Sequence, residues 1–208
     1  MAGRCSTFRL YLVTDRTQTA GRPLATVVEA ALAGGVDAVQ LREKDLPSAE
    51  LLDLATRLHP LCKRYHVPLL INDRVDIALA VGAEGVHLPA DSFTPADARR
   101  LLGPEALIGA STHSLAEAQA AGNGGADFIV FGPVFDTQSK RAFGAPTGLE
   151  ALAEVARAVA LPVLAIGGIN AQRATSIRAR GADGVAVVSA VLAAPRPELA
   201  AAALRAAL

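Results

Sequence analysis

Apolar residues along the chain are grouped into short runs of strand length, and these runs alternate with longer segments whose apolar positions recur at helical spacing. The runs are rich in Val, Ile and Leu with few polar interruptions, which is typical of strands buried on both faces. The pattern predicts eight strands, and four of them occupy residues 8–14, 68–72, 107–111 and 162–169. Helices are predicted near residues 25–34, 48–64, 75–82, 94–102, 114–122, 148–159, 171–180 and 196–208.

The other four strands each follow a repeated motif, Gly-[Val/Ala]-[Asp/Glu]-x-[Val/Ile]. The motif comes directly after an Ala-rich helical segment, where glycine suits the left-handed residue that ends many helices. It therefore marks the junction between a helix and the next strand. The four copies begin at Gly35, Gly82, Gly125 and Gly181.

Regular alternation of strands and helices predicts a parallel sheet that is covered by helices. Eight units with an internal repeat favour closure into a (β/α)8 barrel, the TIM-barrel fold. An open doubly wound sheet is the alternative, but such sheets usually carry a glycine-rich loop after the first strand, and the segment VTDRTQT has no glycine. We therefore predict an α/β fold with one TIM-barrel domain over residues 1–208.

Charge and cysteine content exclude several classes of protein. The 208 residues include 20 Lys plus Arg and 20 Asp plus Glu, so no overall basic field recruits nucleic acid. No apolar run is long enough to span a membrane. Cys5 and Cys62 lack the spacing of a metal site, which favours reduced thiols in a cytoplasmic protein. The oligomeric state is left open, with a homo-oligomer as one option.

Polar residues are concentrated where the predicted strands end. Active sites of TIM barrels lie at the carboxyl ends of the strands, so these residues are expected to share one rim. The second strand, AVQL, runs into REKD, and alternation along a strand would place Gln40, Arg42 and Lys44 on the same side. The alternative is a charged loop that only solvates the end of the strand.

Two anion subsites are predicted on this rim. Gly167 and Gly168 follow the seventh strand and Ser189 follows the eighth, each before a helix, and helix N-termini attract phosphate. The second subsite combines Arg42 and Lys44 with the loop after the sixth strand, and so many cations favour a diphosphate over a monophosphate. The loop residues of this second subsite are Thr137, Ser139 and Lys140.

Carboxylates and an imidazole also lie at the strand ends. A diphosphate usually brings Mg²⁺, which prefers carboxylate oxygens and water. Asp73, at the end of the third strand, is the best candidate ligand, and Asp91 is the carboxylate near the end of the fourth strand. His113, after the fifth strand, is a candidate acid or base because its ordinary pKa lies near neutrality. His87, within the fourth strand, is the histidine that could instead point into the barrel.

Seven segments, in order between residues 10 and 192, resemble the thiamine phosphate synthase family: YLVTDR, VQLREKD, LLINDRVDIALAVGAEGVHL, IGASTHS, GADFIVFGPVFDTQSK, LPVLAIGGI and GADGVAVVSA. Members of this family join a hydroxymethylpyrimidine diphosphate to a thiazole phosphate and release diphosphate. The resemblance implies Mg²⁺ at Asp73 and thiazole phosphate at Gly168, Val188 and Ser189. It implies that the pyrimidine diphosphate is bound by Gln40, Arg42, Lys44, Asn72, Thr137, Ser139 and Lys140. We also predict Ser111 as a substrate-binding residue, and Arg42, His113 and Lys140 as catalytic residues.

The sequence departs from the family pattern at two positions. Ser92 stands where the family has the second metal carboxylate, with Asp91 one residue earlier, and Asp136 stands where proline is common. These departures resemble a sister branch that isomerises a thiazole carboxylate phosphate by proton transfer, with His113 as its acid or base and no metal. A barrel that binds phosphorylated thiazole without turning it over is the third reading. Retention of the diphosphate-binding residues favours the synthase.

Overall fold

The computed structural model describes residues 8–137 and 145–208, and within them parallel strands close into a barrel in sequence order. Each strand pairs with the next one along the chain, and the last strand pairs with the first. The predicted (β/α)8 TIM barrel is therefore confirmed. The strands are β1 (Leu10–Val13), β2 (Ala38–Leu41), β3 (Leu69–Asn72), β4 (Gly85–Leu88), β5 (Leu107–Thr112), β6 (Phe128–Phe131), β7 (Val163–Ile166) and β8 (Gly184–Val187).

Helices surround the barrel and bury their apolar faces against the outward side chains of the strands. Within residues 8–137 and 145–208, no helix combines the length and the apolar character needed to cross a bilayer. A short 3₁₀ helix at Arg16–Gln18 follows β1. The α-helices are α1 (Leu24–Ala33), α2 (Ser48–Arg64), α3 (Val75–Val81), α4 (Pro95–Leu102), α5 (Leu115–Asn123), α6 (Gly148–Ala158), α7 (Ala171–Arg178), α8 (Ser189–Leu192) and α9 (Pro197–Ala207).

The repeated glycine motif marks the helix-to-strand junctions as predicted. All four motif glycines have positive φ, between 67° and 93°, a conformation that glycine adopts without a steric penalty. The acidic residue of the motif also forms hydrogen bonds at the end of the barrel where the strands begin. The Asp37 carboxylate, for example, accepts hydrogen bonds from the backbone N–H groups of Arg9 and Leu10, both at 2.9 Å.

Aromatic packing fills one half of the barrel interior. The rings of Phe8, Tyr11 and Phe128 are in contact, with centroids 5.6 Å apart for both pairs that include Phe128. Phe8 precedes β1 and Phe128 begins β6, so this packing lies toward the amino-terminal ends of the strands. Polar inward-facing side chains lie toward the carboxyl ends of β2 to β5, on the rim where the sequence places the site.

Candidate active site

The inward-facing positions at the carboxyl ends of β2 to β5 are polar, whereas valine and isoleucine occupy these positions on the other four strands. Because side chains alternate along a strand, the buried interior residues Ala38 and Leu70 imply that Gln40 and Asn72 also face inward. The Gln40 amide donates a hydrogen bond of 3.1 Å to the Tyr11 hydroxyl, which fixes its orientation. The β-strand register and the hydrogen bonds of the interior thus bring several predicted site residues to one mouth: Gln40, Asn72, Ser111 and Val188.

Glu43 anchors the segment that follows β2. Its side chain is buried, and its carboxylate accepts hydrogen bonds from the Thr14 hydroxyl at 2.7 Å and from the Arg16 backbone N–H at 3.0 and 3.1 Å. The Thr14 hydroxyl oxygen in turn accepts the backbone N–H of Arg42 at 2.9 Å. These contacts tie the end of β2 to the end of β1, and therefore fix the backbone that carries Arg42 and Lys44.

The Arg42 guanidinium acts on groups at the ends of two other strands. Burial lowers the pKa of His87, inside β4, to about 3, and the positive charge of Arg42 adds to this shift. The pKa of Asp15, after β1, is also lowered: partial burial opposes the shift, but hydrogen bonds from Thr17 and Gln18 and the charge of Arg42 outweigh it. Electrostatic effects at both sites are consistent with Arg42 lying over the mouth of the barrel.

Lys44 reaches the same mouth from a turn and not from the strand. β2 ends at Leu41, so the alternation argument does not extend to Lys44, which is exposed in the turn before α2. It nevertheless lines a cavity of about 240 Å³ together with Glu43, Asn72, Asp73 and Asp91. The structure therefore brings one predicted cation and both predicted metal ligands to one cavity.

The two predicted metal ligands differ in their surroundings. Asp73 is partly buried in the left-handed region, with φ of 66°, and its carboxylate accepts a hydrogen bond from the Ser92 hydroxyl. Asp91 is exposed. A second cavity of about 500 Å³ adjoins Asp73, Asp91 and Ser92.

In the described part of the chain no cluster of three or more His, Cys, Asp or Glu side chains is arranged to hold a metal. Two carboxylates do fit Mg²⁺, which takes its remaining oxygens from water and substrate phosphate.

The turn after β7 has a backbone conformation and close packing that require glycine. Gly167 and Gly168 have φ of 103° and 65°, and a Cβ added at Gly168 would lie 2.7 Å from the carbonyl oxygen of Asp136. Only glycine fits this position without moving the neighbouring loop. The adjoining segment after β6 is held against the turn, since the Phe135 N–H donates to the Gly167 carbonyl at 3.2 Å.

A cation stands beside this turn that the sequence patterns did not identify. The Arg173 guanidinium donates a hydrogen bond of 2.5 Å to the Gly168 carbonyl and lies 4.6 Å from the centre of the Phe135 ring. Asn170 caps α7 through its side chain, which orients the first turn that carries Arg173. The rim at β7 therefore offers a positive side chain as well as backbone N–H groups.

Other predicted residues of the two subsites are placed as follows. Val188 lies one residue after β8 and packs against the interior cluster, and the exposed Ser189 begins α8. Thr137 is partly buried at the last described position before residue 145. Ser139 and Lys140 lie outside the described residues, so their predicted roles stay predictions.

His113 is on the rim, but its ring is engaged with the backbone. Nδ1 forms a hydrogen bond with the carbonyl oxygen of Gly132, at the end of β6, and the residue is exposed. His87 instead is buried in the barrel, and its Nε2 lies 3.0 Å from the Ser111 Oγ. The structure thus joins a predicted substrate-binding serine to the histidine that sequence reasoning favoured less.

Comparison with known proteins identifies the family. A family model described as thiamine monophosphate synthase matches residues 10–191 of the chain. The chain belongs to the thiamine monophosphate synthase family. The match includes all eight strands, and therefore the whole rim described above.

Relatives of the family are similar to this chain over nearly its whole length. A thiamine-phosphate synthase of a Roseiflexus species is 48% identical and covers 95% of this chain and 84% of its own. That of Chloroflexus aurantiacus is 47% identical, covering 96% of this chain and 92% of its own. The solved structure of a thiamine phosphate pyrophosphorylase from Pyrococcus furiosus has a TM-score of 0.88 at 38% identity, and covers 97% of this chain and 95% of its own.

Proposed function

We propose that this protein synthesises thiamine phosphate from a hydroxymethylpyrimidine diphosphate and a thiazole phosphate, with release of diphosphate. The observation that carries the proposal is that polar and cationic residues stand at the ends of several strands in a chain with this family match. Lys44 and Asn72 line one cavity, and Arg42, which directly follows β2, would complete a first anion subsite with them. The Gly167–Gly168 turn would be the second subsite. The names of the similar relatives support the same reaction.

The reaction transfers the pyrimidine methylene group from oxygen to nitrogen. The bond between the methylene carbon and the bridging oxygen of the diphosphate breaks, and the oxygen keeps the electron pair. The thiazole nitrogen then supplies its lone pair to the methylene carbon, so that no proton or redox partner is needed. Arg42 and Lys44 stabilise the charge that accumulates on the leaving diphosphate. Holding both substrates on one rim removes much of the entropic cost of their meeting.

Asp73 and Asp91 are the proposed Mg²⁺ ligands. When bound, the ion would neutralise diphosphate charge and favour its departure as a leaving group. Ser92 adds a neutral hydroxyl on the Asp73 carboxylate in place of a second fixed charge. We expect the metal to depend strongly on the substrate phosphates for its remaining ligands, since the protein supplies few of its own.

Ser92 is also the observation that favours a second candidate, the thiazole tautomerase. A proton-transfer enzyme needs no metal, and His113 would be its acid or base. The alternative is weaker because Arg42 and Lys44 remain on the rim, where an isomerase of a monophosphate has little use for both. A barrel that only binds phosphorylated thiazole is the remaining possibility for the same geometry.

The deciding experiment is an assay of diphosphate release from both phosphorylated substrates across a range of Mg²⁺ concentrations. If the protein is the synthase, diphosphate release should require Mg²⁺. Its rate should fall at least about 100-fold in the Arg42→Gln variant, because this variant loses a contact to the leaving group. Arg57→Gln, on the exposed surface of α2, is the matched control and should be unaffected. Aromatisation of the thiazole carboxylate without Mg²⁺, abolished by His113→Ala, would establish the tautomerase instead. Binding of thiazole phosphate with neither reaction would indicate a barrel that only binds phosphorylated thiazole.

The compartment and the partners are part of the proposal. We place the protein in the cytoplasm, which agrees with the free, buried thiol of Cys62. Burial raises the pKa of this thiol to about 12, so it is unreactive at neutral pH. The proposed partners are the two small phosphorylated substrates, with neither nucleic acid nor a membrane involved.

A further inference from the structure

The His87 side chain is buried in the barrel interior, on the next-to-last residue of β4. It is 2% exposed and packs against two interior aromatic rings, with centroid distances of 5.8 Å to Tyr11 and 5.9 Å to Phe128. Gly109 on β5 leaves the room for this ring, because a Cβ there would lie 2.6 Å from the imidazole Nδ1. The surrounding packing therefore fixes the ring in one position.

The two ring nitrogens have different environments. Nε2 lies 3.0 Å from the Ser111 Oγ, at hydrogen-bonding distance. Nδ1 is buried, and no hydrogen-bond partner for it is present in residues 8–137 and 145–208. In the same interior, the Gln40 amide donates to the Tyr11 hydroxyl and not to the His87 ring.

This difference determines which ring nitrogen carries the proton. A neutral imidazole has one N–H and one lone pair. A proton on Nδ1 would be a buried donor without an acceptor, and such orphaned N–H groups are rare in folded proteins. A proton on Nε2 leaves only a lone pair unsatisfied and makes the ring a donor to Ser111. The Ser111 oxygen then accepts from His87, and its own proton is directed away from the ring.

We infer that His87 is a positioning residue that fixes the Ser111 hydroxyl as a hydrogen-bond donor toward the leaving diphosphate. The inference rests on the proposed function for the identity of the anion, but not for the tautomer. A hydroxyl that is held as a donor strengthens its hydrogen bond to the oxygen as negative charge develops there. A hydroxyl free to rotate would have to be ordered during the reaction, at an entropic cost.

The tautomer can be measured without any substrate. The chain has 4 histidines, so ¹⁵N-labelled imidazole groups give a simple long-range ¹H–¹⁵N spectrum, in which the signal lost in the His87→Gln variant identifies His87. The inference predicts a neutral ring with the proton on Nε2 near pH 7. A proton on Nδ1 would overturn it, because Ser111 would then donate to the ring.

Kinetics test the link to Ser111. Replacing His87 by Phe, which keeps an aromatic ring in the interior but removes the donor, should lower kcat about 10-fold or more with little change in the KM of thiazole phosphate. His87→Gln, whose amide can still donate, should recover most of that loss. The double variant His87→Phe with Ser111→Ala should be no slower than Ser111→Ala alone, since the two residues act as a unit.

The controls separate a structural role from a positioning role. A purely structural His87 would give effects that multiply with those of Ser111→Ala, and His87→Gln would show no selective recovery; either result contradicts the inference. Thermal unfolding reports whether His87→Phe folds, and the spectrum and His87→Gln decide the question if it does not. A protonated Nε2 in a protein that releases no diphosphate would refute the proposed function while leaving the tautomer assignment intact.

Discussion

Replacing Glu43 by Gln tests how the two cations of the rim are positioned. The buried carboxylate accepts hydrogen bonds from Thr14 and from the Arg16 backbone, and pairs with the Arg16 guanidinium at 3.2 Å. Gln keeps the shape, but one of its two terminal groups is a donor and would face other donors. Losing one hydrogen bond to a charged group costs about 1.5–3 kcal/mol, and losing two costs twice as much, so we expect the free energy of unfolding to fall by about 1.5–6 kcal/mol.

The matched control is Asp45→Asn, because Asp45 also pairs with Arg16 but is largely exposed. Exposed ion pairs contribute little to stability, so this variant should unfold almost like the native protein. Urea unfolding at neutral pH measures both variants. In the kinetic assay, Glu43→Gln should raise the KM of the pyrimidine diphosphate, since Arg42 and Lys44 lose a fixed backbone, while the KM of thiazole phosphate should change little. Equal stability losses in the two variants, or equal effects on both KM values, would refute this reasoning.

Three further predictions concern pH, metal and phosphate binding. The pKa of His87 is about 3 in the folded protein against 6.5 ordinarily, so between pH 3 and pH 6.5 the unfolded chain binds more protons than the folded one. The native protein should therefore lose about 2 kcal/mol of stability relative to His87→Gln from pH 7 to pH 5. A stability difference that does not change with pH in urea unfolding would contradict this. Asp73→Asn should raise the Mg²⁺ concentration for half-maximal diphosphate release about 10-fold or more; an unchanged Mg²⁺ titration would remove Asp73 from the metal site. Arg173→Gln should raise the KM of thiazole phosphate several-fold and leave that of the pyrimidine diphosphate unchanged.

The fold could be predicted because each level of the sequence pattern gives the same answer. Apolar strands, helical segments and the repeated junction glycines independently indicate eight parallel β/α units, and all four of those glycines have the positive φ that the motif requires. The ends of elements were less predictable. Strand pairing extends only to Leu41 in β2, and the four-residue helix α8 is too short to give a hydrophobic period.

The candidate site was predictable in position but not in its supporting contacts. Residues at strand ends must meet on a TIM-barrel rim, which is why Gln40, Asn72 and Asp73 could be grouped from their order alone. Hydrogen bonds between distant residues leave no such local signal. The buried Glu43 looked like one more charge in REKD, and the link between His87 and Ser111 joins positions on β4 and β5 that only the barrel register brings together.

Arg173 illustrates a second limit of sequence reasoning. It lies in a helix, three residues from its N-cap Asn170, where a charged residue usually faces solvent and carries no information on function. Its contact with the Gly168 carbonyl depends on the left-handed turn after β7. A search for cations in the first turn of the helix that follows the glycine pair would have identified it.

The central claim is that one rim carries two separate anion subsites, and binding calorimetry with two ligands tests it most directly. Inorganic diphosphate with Mg²⁺ and thiazole phosphate are titrated separately into the native protein, Arg42→Gln and Gly168→Ala. The account predicts that Arg42→Gln weakens only diphosphate binding, whereas Gly168→Ala, whose methyl group would collide with the Asp136 carbonyl, weakens only thiazole phosphate binding. If either folded variant lost affinity equally for both ligands, or if neither variant lost affinity for any ligand, the account would be contradicted.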